Sequence, residues 1–216
     1  MDARETGEIA AAALRRAGFG DASPETMRLM SLYLQEVDYW NARMHLVGRG
    51  SFGASLELLA FDSLALLKAA GESDPAARSV ADIGSGAGFP GLVWKIVRPR
   101  FDMALFERRL KPQLFLERVV TQLGLGGIRV YGEDAANCGE SGAFDLVISK
   151  AAGRLAAILP LAERLLAAGG AYITIKGRSW ESELPRRGKS SMQMESAADL
   201  PEKRGKVLVF RKSPPA

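Results

Sequence analysis

From Val80 to Gly91 the chain reads Val-Ala-Asp-Ile-Gly-Ser-Gly-Ala-Gly-Phe-Pro-Gly, a short apolar run that breaks into a glycine-rich turn. Glycine lets the backbone bend tightly there, and it lets a ligand reach the peptide N–H groups of a helix N-terminus with no Cβ in the way. Pro90 suits the first turn of the helix that would follow. Such a pattern binds nucleotide-like ligands, and spacing separates the candidates. A P-loop fails, because Leu92 and Val93 stand where Lys and Ser/Thr are needed. A dinucleotide fingerprint is met in part: Gly84-Ser85-Gly86 is followed at the third glycine position by Phe89, with Gly88 one residue early. A second carboxylate, Glu107, closes the next apolar run, Leu105-Phe106-Glu107, 25 positions after Asp82. One carboxylate accepts bonds from both hydroxyls of a ribose, so an adenosine-containing ligand suits the two motifs together.

These residues need elements to hold them. Met27, Met30, Leu34, Val37 and Trp40 recur at helical steps over 23–41, with Ser23 and Pro24 as cap and first turn. A second helical segment covers 55–70 (Leu56, Leu59, Leu64, Leu67), and Gly71-Glu72-Ser73-Asp74-Pro75 interrupts the chain after it. Five β-type runs then follow, at 79–83, 101–107, 127–131, 144–149 and 171–176, and helical spacing returns between them at 114–123 and 155–166. Strands that are apolar throughout and alternate with helices predict a parallel sheet covered on both faces. A last apolar strand, 206–210, comes after a polar stretch with no long helix and is expected to join the sheet edge antiparallel. The predicted organisation is a helical extension over 1–75 and a ligand-binding core over 76–216, forming one compact unit.

Composition limits the function classes. The chain has 216 residues, 47% hydrophobic and 25% charged, which suits a folded domain and excludes disordered and fibrous classes. No run approaches the roughly 18 apolar residues of a membrane span, and acids near the N-terminus (Asp2, Glu5, Glu8) oppose a secretory leader, so a cytoplasmic protein is expected. A single His (His45) and a single Cys (Cys138) leave no internal disulfide and no cysteine-cluster metal site. The net charge of +4 is uneven: residues 1–175 carry 19 Lys/Arg against 20 Asp/Glu, whereas 176–216 carry 10 against 5. A basic C-terminal segment suits a polyanion such as nucleic acid, and it equally suits a solvated surface. Long helices and a charged surface suit a monomer.

The Asp-x-Gly-x-Gly-x-Gly pattern resembles the first motif of class I methyltransferases, which bind S-adenosylmethionine. The wider set of motifs is similar to one family, the small-subunit rRNA guanine-N7 methyltransferases, also called glucose-inhibited division protein B. The matching pieces are Trp40-Asn41, Asp62-Ser63-Leu64, the Asp82 to Gly91 run with its Phe-Pro-Gly ending, and Glu107-Arg108 with Lys111 and Phe115-Leu116. They continue through Phe144-Asp145, Ser149-Lys150-Ala151 and Lys176-Gly177. The resemblance implies an α/β class I fold: a Rossmann-like, mostly parallel seven-stranded sheet with helices on both faces, its last strand antiparallel. It implies transfer of a methyl group to N7 of one guanosine in the 530 loop of bacterial 16S rRNA, presented as rRNA or as the 30S subunit, with S-adenosylhomocysteine as product. Cofactor contacts are implied at Asp82, Gly84, Gly86, Gly88, Phe89, Glu107, Asp134, Ala135, Ala136 and Lys150. Of these, Gly84 and Phe89 line the methionine side, Glu107 holds the ribose, and Asp134, Ala135 and Ala136 flank the adenine. RNA contacts are implied at Arg108, Lys111, Lys176, Arg178, Arg186 and Arg187. Guanine N7 carries an in-plane lone pair and no proton, so no general base is expected; Lys150 and Lys176 are the candidates for positioning the reaction.

The chain departs from the family pattern at several places. Lys150 stands where Arg is usual, which replaces a planar fork by a point charge. His45-Leu46-Val47 replaces Asn-Leu-Thr, Leu59 replaces a His, Pro112 replaces a Lys, and no Arg-x-Glu follows the third strand. These departures bear on the substrate more than on the cofactor loop. A methyltransferase for another RNA site, an NAD-dependent Rossmann oxidoreductase and a non-catalytic rRNA-binding protein remain open from sequence. So do plainer roles: Asp82 as a turn cap, Trp40 as core, and Arg108, Arg109 and Lys111 as a solvated helix start as readily as phosphate contacts.

Overall fold

Val80, Ala81, Asp82 and Ile83 are all buried in strand β1 (Ser79–Ile83), and burial on both faces puts a strand in the middle of a sheet. The computed structural model describes residues 1–47, 52–74, 76–185, 190–201 and 204–214. After β1 come β2 (Asp102–Phe106), β3 (Ile128–Tyr131), β4 (Phe144–Lys150), β5 (Leu166–Lys176), β6 (Met192–Asp199) and β7 (Lys206–Lys212). They form one seven-stranded sheet in the order β3-β2-β1-β4-β5-β7-β6. β1 to β5 run parallel, and β7 is antiparallel to both of its neighbours.

The last strand corrects the sequence reading. It was expected at the edge, yet β7 lies between β5 and β6, and β6 forms the edge. Burial explains both placements. Val207, Leu208, Val209 and Phe210 are apolar on both faces and need cover on both sides, whereas β6 is a mostly exposed Met-Gln-Met-Glu-Ser-Ala-Ala-Asp segment with no apolar alternation to reveal it.

Among the described residues six α-helices complete the fold: α1 (Ala3–Arg16), α2 (Pro24–Met44), α3 (Phe52–Ser73), α4 (Gly91–Val97), α5 (Leu110–Gln122) and α6 (Leu155–Leu165). The sequence reading missed α1 because it buries a narrow stripe of small residues, Thr6, Ala10 and Ala13, together with Leu14. Helix α2 starts as its sequence requires, with Pro24 in the first turn and the Ser23 hydroxyl accepting the Thr26 N–H at 3.1 Å. One continuous apolar cluster joins helices α1 to α5 to the sheet face that carries Val80, Leu105, Leu146, Ile148, Ile173 and Val209. The opposite face, with Ala81, Phe106, Val147, Tyr172 and Leu208, is covered by α6 and by a short 3-10 turn, Trp180–Glu183.

Two polar ties fix this scaffold where the glycine-rich turn needs support, and a third fixes the opposite strand ends. The buried Tyr33 hydroxyl of α2 donates to the Ala87 carbonyl inside the turn at 2.7 Å. The Trp94 indole N–H of α4 donates to the Ser63 carbonyl of α3 at 2.8 Å. At the other end of the sheet the Asp145 carboxylate accepts the Arg78 and Ser79 N–H groups at 2.8 and 2.9 Å, which locks the start of β1 against the start of β4. Tyr33→Phe keeps the ring but strands a buried carbonyl, so it is expected to destabilise the protein by about 1–2 kcal/mol. Urea unfolding checks this as a lower midpoint at unchanged slope; an unchanged midpoint would mean that α2 does not brace the turn.

Candidate functional site

The C-terminal ends of β1, β2, β3 and β4 surround a cleft of about 380 Å³, whose walls include Gly84, Glu107, Arg109, Asp134, Ala135 and Ala152. This is where open α/β sheets bind ligands, because the loops leaving the strand ends diverge there. The turn after β1 forms the floor. Gly84 and Gly86 have φ of 71° and 56°, and the Gly84 and Ser85 N–H groups donate to the Phe106 carbonyl at 2.9 and 3.0 Å. A Cβ on Gly84 would sit 3.2 Å from the Ala152 Cβ across the cleft, so only glycine leaves that approach open.

Two buried carboxylates hold the turn, one at its far end and one at its middle. Asp82 is fully buried, and its Oδ2 accepts the Gly91 N–H at 3.0 Å. That contact requires glycine, since a Cβ on Gly91 would lie 2.6 Å from the same oxygen. Asp82 Oδ1 accepts no hydrogen bond among the described residues. Burial pushes the Asp82 carboxyl up from its ordinary 3.8 to about 7, with the Gly91 N–H and the nearby Lys150 ammonium pulling the other way. Lys150 is itself shifted down by burial, which the charges of Asp62 and Asp82 oppose. Asp62 accepts the Arg204 guanidinium at 3.1 Å, a cation that sequence reasoning passed over because it lies 142 positions away.

Glu107, only 3% exposed by its side chain, is the other anchor. Its Oε2 accepts the Gly86 N–H at 3.0 Å and its Oε1 the Arg109 N–H at 2.8 Å. The Arg109 guanidinium completes a two-pronged pair at 3.0 and 3.1 Å. Burial acts to raise this carboxyl, but the Arg109 side chain and the two backbone donors outweigh it and hold the group below the usual range. The sequence reading weighs Arg109 with Arg108 and Lys111 as a solvated helix start or a phosphate contact, and gives no sign of its pairing with Glu107.

The remaining expected residues divide by location. Gly84, Glu107, Arg108, Asp134 and Ala135 meet at the cleft. Arg108 faces Asp134 at 3.7 Å, and Asp134 accepts the Ala136 N–H at 3.0 Å, so Ala136 shapes the turn after β3 while itself lying exposed beyond the walls. Gly86 and Gly88 build the turn, and Phe89 is buried against the Tyr33 ring at 5.1 Å, in the core and not on the cleft wall. Lys111 is exposed on the first turn of α5. Lys176 is buried at the end of β5, where its ammonium donates to the Gly153 carbonyl and, at 2.8 Å, to Glu183. Glu183 also accepts the Leu155 N–H at 3.2 Å, so this ion pair braces the β4–α6 loop that forms one cleft wall. In that loop Ala151 holds φ of 59°, a left-handed backbone that is unusual for a residue with a Cβ. Arg178 is exposed and lines a separate recess beside Asp199 and Lys206. Arg186 and Arg187 lie outside the described residues. Several other C-terminal cations pair internally: Lys206 with Asp199 at 3.0 Å and Arg211 with Glu195 at 2.5 Å.

Among the described residues no group of His, Cys, Asp and Glu could hold a metal ion, and no helix is long and apolar enough to cross a membrane. A family model described as rRNA small subunit methyltransferase G matches residues 26–206. Proteins called ribosomal RNA small subunit methyltransferase G are similar to the chain at 36% identity in Sorangium cellulosum and 33% in Polynucleobacter asymbioticus. These alignments cover 70% and 76% of this chain. The first spans 65% of its relative's length, just under two thirds, and the second 75%. Among solved structures, a methyltransferase from Geobacter sulfurreducens superposes with a TM-score of 0.56 at 16% identity, over 85% of this chain and 89% of that one. A putative methyltransferase from Escherichia coli gives 0.55 at 15% identity, over 69% of this chain and 86% of that one. Identities this low bear on the fold alone, which is that of class I S-adenosylmethionine-dependent methyltransferases.

An acid whose folded pKa lies above its unfolded one loses stability as pH rises between the two values, because the unfolded chain ionises first. For Asp82 that window is pH 3.8 to about 7. Asp82→Asn keeps an acceptor for Gly91 and removes the titration. The stability of the variant relative to the parent is therefore expected to rise from pH 4 to pH 7, read by urea unfolding at each pH. A pH-independent difference would place a normally ionising carboxylate at Asp82.

Proposed function

Because the chain belongs to the rRNA small subunit methyltransferase G family, we propose that it transfers a methyl group from S-adenosylmethionine to N7 of a guanosine in the 530 loop of bacterial 16S rRNA. The observation that carries the cofactor reading is Glu107, a buried carboxylate at the end of β2 whose Oε2 meets the Gly86 N–H at 3.0 Å over the glycine turn. A carboxylate in that position suits a ribose diol, and the Gly84 approach is a cradle that any side chain would close. Gly84, Gly86 and Glu107 would hold the methionine and ribose portions, with Asp134 and Ala135 beside the adenine. Asp82, Gly88 and Phe89 act from beneath, by fixing the turn.

When bound, the cofactor supplies an electrophilic methyl group on a sulfonium. The protein needs to add alignment more than proton transfer, since N7 of guanine is unprotonated and its lone pair lies in the ring plane. Among the described residues, the charged groups on the cleft walls are carboxylates and arginines, set among apolar side chains such as Ile83, Phe106, Ile158 and Leu161. Arg108 and Lys111, exposed at the start of α5 beside the cleft, suit phosphate contacts that orient an RNA loop. Lys176 lies inside and sets the β4–α6 loop through Gly153 and Glu183. Residues 1–75 would act as a helical brace for the turn, in a protein that works in the cytoplasm.

Methyl-labelled S-adenosylmethionine is incubated with 30S subunits, or with 16S rRNA, lacking the modification, and the label is mapped by N7-specific strand cleavage. Label at the 530-loop guanosine supports the reading; label elsewhere moves the substrate, and cofactor binding without transfer to either form removes the activity. Glu107→Gln is expected to weaken S-adenosylhomocysteine binding by about tenfold, the loss of one charge-assisted bond to the ribose. Lys176→Ala is expected to keep that affinity while slowing transfer, so an unchanged turnover would exclude the loop-setting role.

A further inference from the structure

Glu107 has no acceptor position to spare. A carboxylate offers about four lone-pair sites on its two oxygens. Oε1 accepts the Arg109 N–H and Nε at 2.8 and 3.0 Å, while Oε2 accepts the Gly86 N–H and the Arg109 Nη2 at 3.0 and 3.1 Å. The two backbone donors are fixed by the turn and by the start of α5. The two guanidinium donors ride on a side chain that is 66% exposed. Arg109 also lies over the turn itself, since its Nη2 is 3.8 Å from where a Gly86 Cβ would be.

We propose that the Arg109 guanidinium is an internal stand-in for the ribose diol, holding the two Glu107 acceptor positions that the diol takes, so that cofactor binding is an exchange of one two-pronged donor for another. This rests on the cofactor reading above and deepens it. A buried carboxylate left with half its acceptors unfilled is costly, and a planar fork matches a carboxylate as two neighbouring hydroxyls do. The exposed stem of Arg109 gives the displaced guanidinium a path toward solvent at the cleft mouth, beside Arg108 and Lys111. Affinity for the cofactor is thereby set against an intramolecular ion pair, and salt, which screens that pair, favours the exchange.

Calorimetric titration of the parent, Arg109→Met and Arg109→Lys with S-adenosylhomocysteine tests this directly. Removing a competing, partly exposed ion pair is expected to tighten binding by about two- to fivefold in Arg109→Met, with Arg109→Lys in between. The gain should appear with adenosine and vanish with 2′,3′-dideoxyadenosine, and added salt should narrow the gap between parent and variant. Equal or weaker binding by Arg109→Met at an unchanged melting temperature would overturn the proposal, as would the same gain with the dideoxy ligand. Failure of the parent to bind either S-adenosylhomocysteine or adenosine would instead overturn the cofactor reading beneath it.

Discussion

Two carboxylates buried at the ends of adjacent parallel strands hold one glycine turn from both sides. Asp82 grips its far end through the Gly91 N–H, and Glu107 grips its middle through the Gly86 N–H. The register that sets Asp82 beside Leu105 makes this possible, because it brings both strand ends to the same level. Burying two acids so close together works against their charges, and the protein answers each differently. Asp82 has one oxygen that accepts no bond among the described residues, and burial raises its pKa, whereas Glu107 is saturated with donors and held ionised. One carboxylate thus acts as a structural clamp, and the other keeps a charge at the cleft that a ligand can use.

The helices before the sheet gain their meaning from that clamp. Tyr33 bonds into the turn, and Trp94, on the helix that the turn starts, bonds back to α3. The apolar cluster on this face is continuous from Ala10 to Val209, so movement of the turn is resisted by the packed interior as well as by its own hydrogen bonds. On the other face, α6 and the 3-10 turn meet through Glu183, which joins the Lys176 ammonium to the first N–H of α6. Both walls of the cleft are therefore tied to buried groups, while its mouth is left to exposed cations on α5.

Charge is distributed by pairing more than by count. Within the basic C-terminal segment, Lys176, Lys206 and Arg211 pair with Glu183, Asp199 and Glu195 of the same segment, while Arg204 reaches Asp62 in α3. Arg108, Arg109 and Lys111, in the long 1–175 stretch with almost no net charge, are exposed cations beside the cleft.

Sequence alone determined the elements whose signals are local. The glycine turn, the strand leading into it, the N-terminal cap of α2 and the acid ending β2 follow from residue type and from spacing over a few positions, which the backbone reads directly. The motif order also carried the family. The sequence concealed β6 and the inner position of β7, because strand order depends on pairing between distant segments and β6 has no apolar pattern of its own. It concealed that Phe89 turns into the core, that Lys176 is buried against Glu183 and that Arg109 grips Glu107. Each of these is decided by which side chain comes within about 3 Å of another, and that is set by how the strands and helices pack together.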